Sequence, residues 1–260
     1  MHFTKMHGLG NDYLYVYGAP CGAETIRRLS DRHFGAGSDG MIFIEQSKIA
    51  DFKMRIFNAD GSEAKMCGNG IRCVGKYVYE KGLTEKTELT VETLSGVKTL
   101  HLQVQNGKVQ TVTVGMGKAV CTEEQTLNAD GKTVRLLPVS VGNPHAVIFT
   151  QDAERAPLCT LGAAIERYPL FPDGVNVEFV QPLGKDVLRM RVWERGSGVT
   201  MACGTGACAA AAAAVKKGIC HASTPISVRL DGGTLQIAVA PDGSVTMTGE
   251  AVTVYEGETV

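Results

Sequence analysis

Apolar and polar residues alternate along TLHLQVQNGKVQTVTV, residues 99–114, and again along TLQIAVAPDGSVTMT, residues 234–248. Alternation of period two predicts half-buried strands, and Asn106-Gly107 and Asp242-Gly243 near the middle of the two stretches predict hairpin turns. KMRIFN (53–58) and RMRVWE (189–194) alternate in the same way, and each precedes a cysteine-glycine turn that runs into a helical stretch: KMCGNGIRCVGKYVYEKG (65–82) and MACGTGACAAAAAAVKKG (201–218). A single shift of 136 residues carries Cys67 onto Cys203, Lys81-Gly82 onto Lys217-Gly218, Gly96 onto Gly232 and Asn106-Gly107 onto Asp242-Gly243, without a gap. Further upstream the match is looser: GLGNDYLYV lies against VGNPHAVIF with Asn11 facing Asn143, and GSDGMIF against GVNVEF with Asp39 facing Asn176. The pattern predicts two similar α/β domains, residues 1–117 and 118–249, with a boundary near Gly117. Residues 250–260 have no counterpart inside the repeat and are expected to return to the first domain.

Composition narrows the class. The chain has 260 residues, 44% hydrophobic and 20% charged, which suits one large or two modest globular domains. A formal charge of −1 supplies no basic excess for a phosphate backbone, so nucleic acid is not an expected partner. The N-terminal MHFTKMHGLGND has no apolar signal core and no apolar run approaches the roughly 20 residues that span a bilayer, so the expectation is a cytoplasmic protein without a membrane partner. Eight cysteines would suggest disulfides in a small secreted chain, but this chain is neither, and no CxxC pair or zinc-like spacing occurs. No metal is expected.

The two cysteine turns are the candidate chemistry. Each cysteine stands just before a predicted first helical turn, at Gly68-Asn69 or Gly204-Thr205, where unpaired N–H groups and the helix dipole favour an anion and are expected to lower a thiol pKa. Gly70 and Gly206 are expected to leave the backbone bare for a ligand, and the six alanines to form a thin helix. Two related domains facing each other would bring two thiols to one cleft. Inverting a stereocentre beside a carboxylate takes a base on one face and an acid on the other, which a thiolate and a thiol can supply in either direction, while the helix N-termini hold the carboxylate. Asn58 and Glu194 occupy equivalent positions, each nine residues before its cysteine. Arg195 offers a planar fork for a second carboxylate, and His145 could accept or shuttle a thiol proton. Cys73 and Cys208 are read as packing residues, and His33 and Asp39 as structural.

The segments MHGLGNDY, DRHFGAGSDG, NADGSEAKMCGNGIR, VSVGNPHAV, GVNVEFV and WERGSGVTMACGTGACA together resemble the diaminopimelate epimerase family across essentially the whole chain. The resemblance implies two pseudo-symmetric domains of α/β (α+β) class, each a curved, mostly antiparallel sheet around a central helix, with the active site in the cleft between them. It implies a cofactor-independent isomerase that interconverts LL- and meso-diaminopimelate in lysine and peptidoglycan precursor synthesis. Cys67 and Cys203 are then the catalytic pair. Asn11, Gly68, Asn69, Gly204 and Thr205 hold the α-carboxylate and α-amino group, and Asn58, Asn143, Asn176, Glu194 and Arg195 hold the distal end, with His145 and Glu194 supporting proton transfer. Members of the family often carry glutamine where this chain has Gly40. The partner implied is a small amino-acid substrate, and a homodimer is left open.

Three other readings compete. FGAGSDG (34–40) contains a formal GxGxxG, but a helical stretch precedes it and a strand follows, the reverse of a dinucleotide-binding loop. A non-catalytic amino-acid-binding protein would not need two thiols at equivalent turns. Another racemase of the same fold, of histidine or proline type, is the serious rival; Arg195 and the asparagines favour a substrate with a second amino-acid end.

Overall fold

A computed structural model describes residues 1–259; Val260, the last residue of the segment expected to rejoin the first domain, lies outside the described residues. The chain divides into two compact units, Met1–Gly115 together with the segment from Thr248 onward, and Met116–Met247. It passes between them inside the strands Lys108–Lys118 and Ser244–Gly249.

In the first unit the strands neighbour one another in the order Val252–Glu258, His2–Gly8, Asn11–Tyr17, Gly40–Glu45, Phe52–Asn58, Glu88–Thr93, Gly96–Gln105 and Lys108–Lys118. All these pairs are antiparallel except two: Asn11–Tyr17 with Gly40–Glu45, and Phe52–Asn58 with Glu88–Thr93. Parallel neighbours need a crossover, and each crossover here contains a helix, Ala23–Ser30 in the first and Gly68–Glu80 in the second. Alternation along the strand Gly40–Glu45 sends its side chains to opposite faces. Met41 and Phe43 meet Ile26 and Leu29 of the outer helix, while Ile42 faces Gly70 of the inner one. Covered on both sides, the strand is buried from Gly40 to Ile44.

The second unit repeats this plan. Its order is Gln125–Ala129, Lys132–Ser140, Pro144–Phe149, Asn176–Gly184, Val187–Glu194, Ile226–Leu230 and Gly233–Val239, with parallel pairs at the third and fourth and at the fifth and sixth strands. The first crossover carries Leu158–Gly162 and Ala163–Glu166, whose Leu158, Leu161 and Ile165 pack with Val177 and Phe179. The second carries the inner helix Gly204–Lys216. Every residue from Ala207 to Ala214 is buried, so this helix has no solvent stripe and no amphipathic period. Alanine keeps helix propensity high while letting strands approach on all sides.

The two inner helices are both 13 residues long and end alike, on Lys81 and Lys217 with φ −83° and ψ 0°, each followed by a glycine at φ +69°. Glycine is the residue that takes this left-handed helix stop without strain.

Candidate active site

Each inner helix begins on a cysteine in extended conformation, and each sulfur accepts a hydrogen bond from the third N–H of its helix: Gly70 N to Cys67 Sγ at 3.2 Å, and Gly206 N to Cys203 Sγ at 3.3 Å. The cysteine takes the place usually held by serine or aspartate as a helix cap. Capping holds the sulfur beside the first helical N–H groups, which have no carbonyl ahead of them within the helix.

Around Cys67 the thiol donates to Asn11 Oδ1 at 3.1 Å. Asn11 opens a strand just after the turn at Leu9 and Gly10, and its amide nitrogen donates to Asp39 Oδ2 at 2.9 Å. The Asp39 carboxylate also accepts from Asp12 N and from Arg32, and Arg32 grips Asp12 through both terminal nitrogens while Lys5 pairs with Asp12 at 2.8 Å. The Asn69 side-chain oxygen accepts from Arg72 at 3.0 Å. Arg72 is fully buried and also donates to Gly68 O and Glu250 O. Asn58 is the last residue of its strand and donates to Ser62 at 3.0 Å, in the turn that follows. Gly40 stands opposite it in register, where an added Cβ would lie 2.0 Å from the Phe57 carbonyl oxygen. A side chain at this position has no room on this backbone.

Around Cys203 the polar groups form a chain. His145 and Glu178 are both fully buried and meet at 2.6 Å through Nδ1 and Oε1. His145 Nε2 lies 3.1 Å from Asn143 Oδ1, Asn143 Nδ2 donates to Thr205 Oγ1 at 3.3 Å, and Thr205 Oγ1 is 3.6 Å from Cys203 Sγ. His145 therefore reaches the sulfur through Asn143 and Thr205. Glu194 ends its strand, accepts from the Thr200 hydroxyl and lies close enough to Cys203 for its charge to act on the thiol. Asn176 Oδ1 accepts from the Arg195 backbone N–H at 2.8 Å, and the exposed Arg195 side chain rests one nitrogen on Asp173 O. Gly68 and Gly204 are buried in the first turns of their helices.

Two expectations are corrected. Burial first, and then the Glu194 and Glu178 carboxylates, push the Cys203 thiol well above its ordinary pKa, outweighing the Gly206 N–H that was expected to lower it. Gly70 and Gly206 serve internal contact: a Cβ would lie 2.6 Å from Ile42 Cδ1 at the first and 2.8 Å from Glu178 Oε1 at the second. Cys73 is buried against Tyr15 and pushed up to about 11, chiefly by burial, as suits a packing residue. Among the described residues no cluster of three His, Cys, Asp or Glu side chains is placed to hold a metal ion, and no helix is long and apolar enough to cross a membrane.

A sequence profile described as diaminopimelate epimerase matches residues 3–122 and 137–254. Curated diaminopimelate epimerases align over nearly the whole length of both chains. That of Bacteroides thetaiotaomicron is 53% identical, covering 98% of this chain and 97% of its own; that of Acetivibrio thermocellus is 48% identical, covering 99% and 98%. Among solved structures the fold matches a probable proline racemase from Agrobacterium radiobacter K84 at TM-score 0.77 and 17% identity, over 100% of this chain and 92% of that one. A Bacillus anthracis phenazine biosynthesis protein of the PhzF family matches at 0.77 and 16%, over 100% and 99%. At such identities these two speak for the fold alone.

Proposed function

We propose that this chain, which belongs to the diaminopimelate epimerase family, interconverts LL- and meso-diaminopimelate by a two-thiol proton transfer, as a step in making lysine and peptidoglycan precursors. The observation that carries the reading is the duplicated cap: two sulfurs, each fixed by the third N–H of an equivalent helix. One thiolate removes the α-proton from one face of the substrate carbon and becomes a thiol; the electron pair left behind spreads into the α-carboxylate. The opposite thiol then delivers its proton to the other face and becomes the thiolate. No proton is gained or lost overall, and the reverse reaction exchanges the roles. First-turn N–H groups at Gly68, Asn69, Gly204 and Thr205, with Asn11, hold the α-carboxylate and α-amino group and stabilise the charge that develops there.

The distal end of the substrate is assigned to Asn58, Asn143, Asn176, Glu194 and Arg195. Arg195 supports that role by its exposure: only one of its terminal nitrogens rests on a backbone carbonyl, leaving donors for a carboxylate. His145 and Glu194 assist proton transfer on the Cys203 side. The rival racemase reading has weaker support, since the proline-racemase likeness is one of fold at 17% identity while the curated epimerases reach 53%.

The test is single-turnover reaction in D₂O. Newly formed epimer should carry solvent deuterium at the α-carbon, because the delivered proton comes from an exchangeable thiol, and Cys67→Ala and Cys203→Ala should each lose at least about 10³-fold in kcat. Product that keeps its original α-hydrogen, or near-normal turnover by either alanine variant, overturns the assignment.

A further inference from the structure

We propose that Asp39 is a positioning residue which, by fixing the direction of the Asn11 amide, holds Cys67 as a hydrogen-bond donor and therefore protonated in the resting protein. The proposal deepens the two-thiol reading and rests on it for its catalytic meaning.

The argument is one of donors and acceptors. Asp39 accepts at both oxygens: Oδ1 from Arg32 at 2.8 Å, Oδ2 from Asp12 N at 3.0 Å and from Asn11 at 2.9 Å. A carboxylate engaged in this way can only accept, so the Asn11 group facing it is the NH₂. The other end of the same planar amide, Oδ1, must then point the opposite way, and it lies 3.1 Å from Cys67 Sγ. An amide oxygen only accepts, so the proton in that contact belongs to sulfur. Turning the amide over would give the sulfur a donor, but it would set Asn11 Oδ1 against Asp39 Oδ2, two acceptors at hydrogen-bond distance. The orientation that welcomes a thiolate is thus closed by Asp39, a residue that does not touch the sulfur.

On the helix that Cys67 caps, the buried Arg72 guanidinium donates to Gly68 O, Asn69 Oδ1 and Glu250 O. Gly70 N donates to the sulfur at 3.2 Å, a bond compatible with either protonation state. Tyr15 from the strand Asn11–Tyr17 and Cys73 from the helix Gly68–Glu80 interact electrostatically with Cys67, and burial keeps both of them protonated, Cys73 being pushed up to about 11. Beyond Asn11, Arg32 and Lys5 are balanced by Asp12 and Asp39. Cys67 accordingly rests as a thiol. It becomes the base only after it has given up its proton or after a ligand has taken the Asn11 oxygen.

The readout is alkylation of Cys67 by iodoacetamide as a function of pH, which requires no turnover. Trypsin places Cys67 alone in residues 66–72, so mass spectrometry follows it apart from the other seven cysteines. Asp39→Asn can donate to Asn11 Oδ1 and lets the amide turn its NH₂ to sulfur. Its alkylation curve should move to lower pH, with the rate near pH 7 rising about threefold or more. Arg32→Ala removes an ion-pair partner of Asp39 while leaving the Asp39 to Asn11 bond, and since a cation is lost its curve should not move to lower pH. Coincident native and Asp39→Asn curves, or an equal shift in Arg32→Ala, overturn the proposal, the latter by tracing the effect to general loosening. Should Asp39→Asn fail to fold, the native protein still decides: the infrared S–H band that disappears in Cys67→Ser should sit at the lowered frequency of a hydrogen-bonded thiol, and an unshifted band refutes the geometry. Loss of epimerase activity in the native protein would count against the proposed function and leave these measurements intact.

Discussion

Glu194 shows how a carboxyl proposed for the site is kept at a cost to the fold. Burial raises its pKa above the ordinary glutamic value and the neighbouring Glu178 adds to the rise, against opposing pulls from the Thr200 hydroxyl, His145 and the Cys203 thiol. A carboxyl whose folded pKa is raised binds its proton more tightly in the folded chain, so it adds stability below the unfolded value, and that gain is lost as pH rises through the folded one. At neutral pH the ionised group is a net burden. Glu194→Gln should therefore melt at a higher temperature than the native protein near pH 7, with the difference closing below about pH 4, and should turn over substrate more slowly. Thermal melts between these pH values check the sign; an unchanged or lower melting temperature near pH 7 contradicts it. The same neighbourhood shows what sequence reading misses. The paired cysteines, His145 and Glu194 stand out by repeat position or motif, whereas Glu178 sits in VNVEFV, a strand covered on both faces. Periodicity along such a strand cannot tell a buried glutamate from an exposed one. Arg72 is hidden in the same way, because the backbone oxygens of Gly68 and Glu250 and the side chain of Asn69, which it meets, form no recognisable charge pattern.

At the scale of elements, the duplicated strand, turn, helix and hairpin were legible because offset and alternation reinforce one another. The outer helix Ala23–Ser30 was legible too, as the helical stretch before FGAGSDG, but its counterparts in the second unit were not, since Leu158–Gly162 and Ala163–Glu166 are too short to show a helical period. The alanine helix was read as a thin one, and the structure supplies the reason: it is enclosed from Ala207 to Ala214. Adding volume there forces strands apart. Ala211→Leu should cost about 1–3 kcal/mol by denaturant unfolding, as overpacked cores do, whereas Lys216→Ala, at the partly exposed end of the same helix, loses its bonds to the Cys121 and Thr122 carbonyls and should cost about 1 kcal/mol or less. Equal costs at the two sites would mean that the helix is not tightly enclosed. The thin helix and its bare glycine at 206 also admit the Glu178 carboxylate to the first turn, so packing economy and the setting of the Cys203 thiol are one arrangement.

At the scale of the molecule, one unit is continuous in sequence and the other is not. The first unit closes with the strand Val252–Glu258, which pairs with His2–Gly8 from His2 opposite Glu258 to His7 opposite Val252. That closing segment also supplies Glu250 O to the buried Arg72 guanidinium. A chain ending at Gly249 loses both. It should show an early unfolding transition, detected by hydrogen exchange as lost protection in strands His2–Gly8 and Asn11–Tyr17, while the amides of Asn176–Gly184 and Gly204–Lys216 stay protected. Uniform loss of protection in both units would contradict this.

The same closure sets an order for biogenesis. A ribosome releases the chain from its N-terminus, and domains generally fold as they emerge. Here the second unit has all its residues once Met247 is clear, while the first still lacks the strand that covers its first one. The half that is translated first is thus the half that finishes last, and until Val252–Glu258 has emerged, His2–Gly8 remains an open sheet edge in the nascent chain, available to chaperones and to misassociation alike.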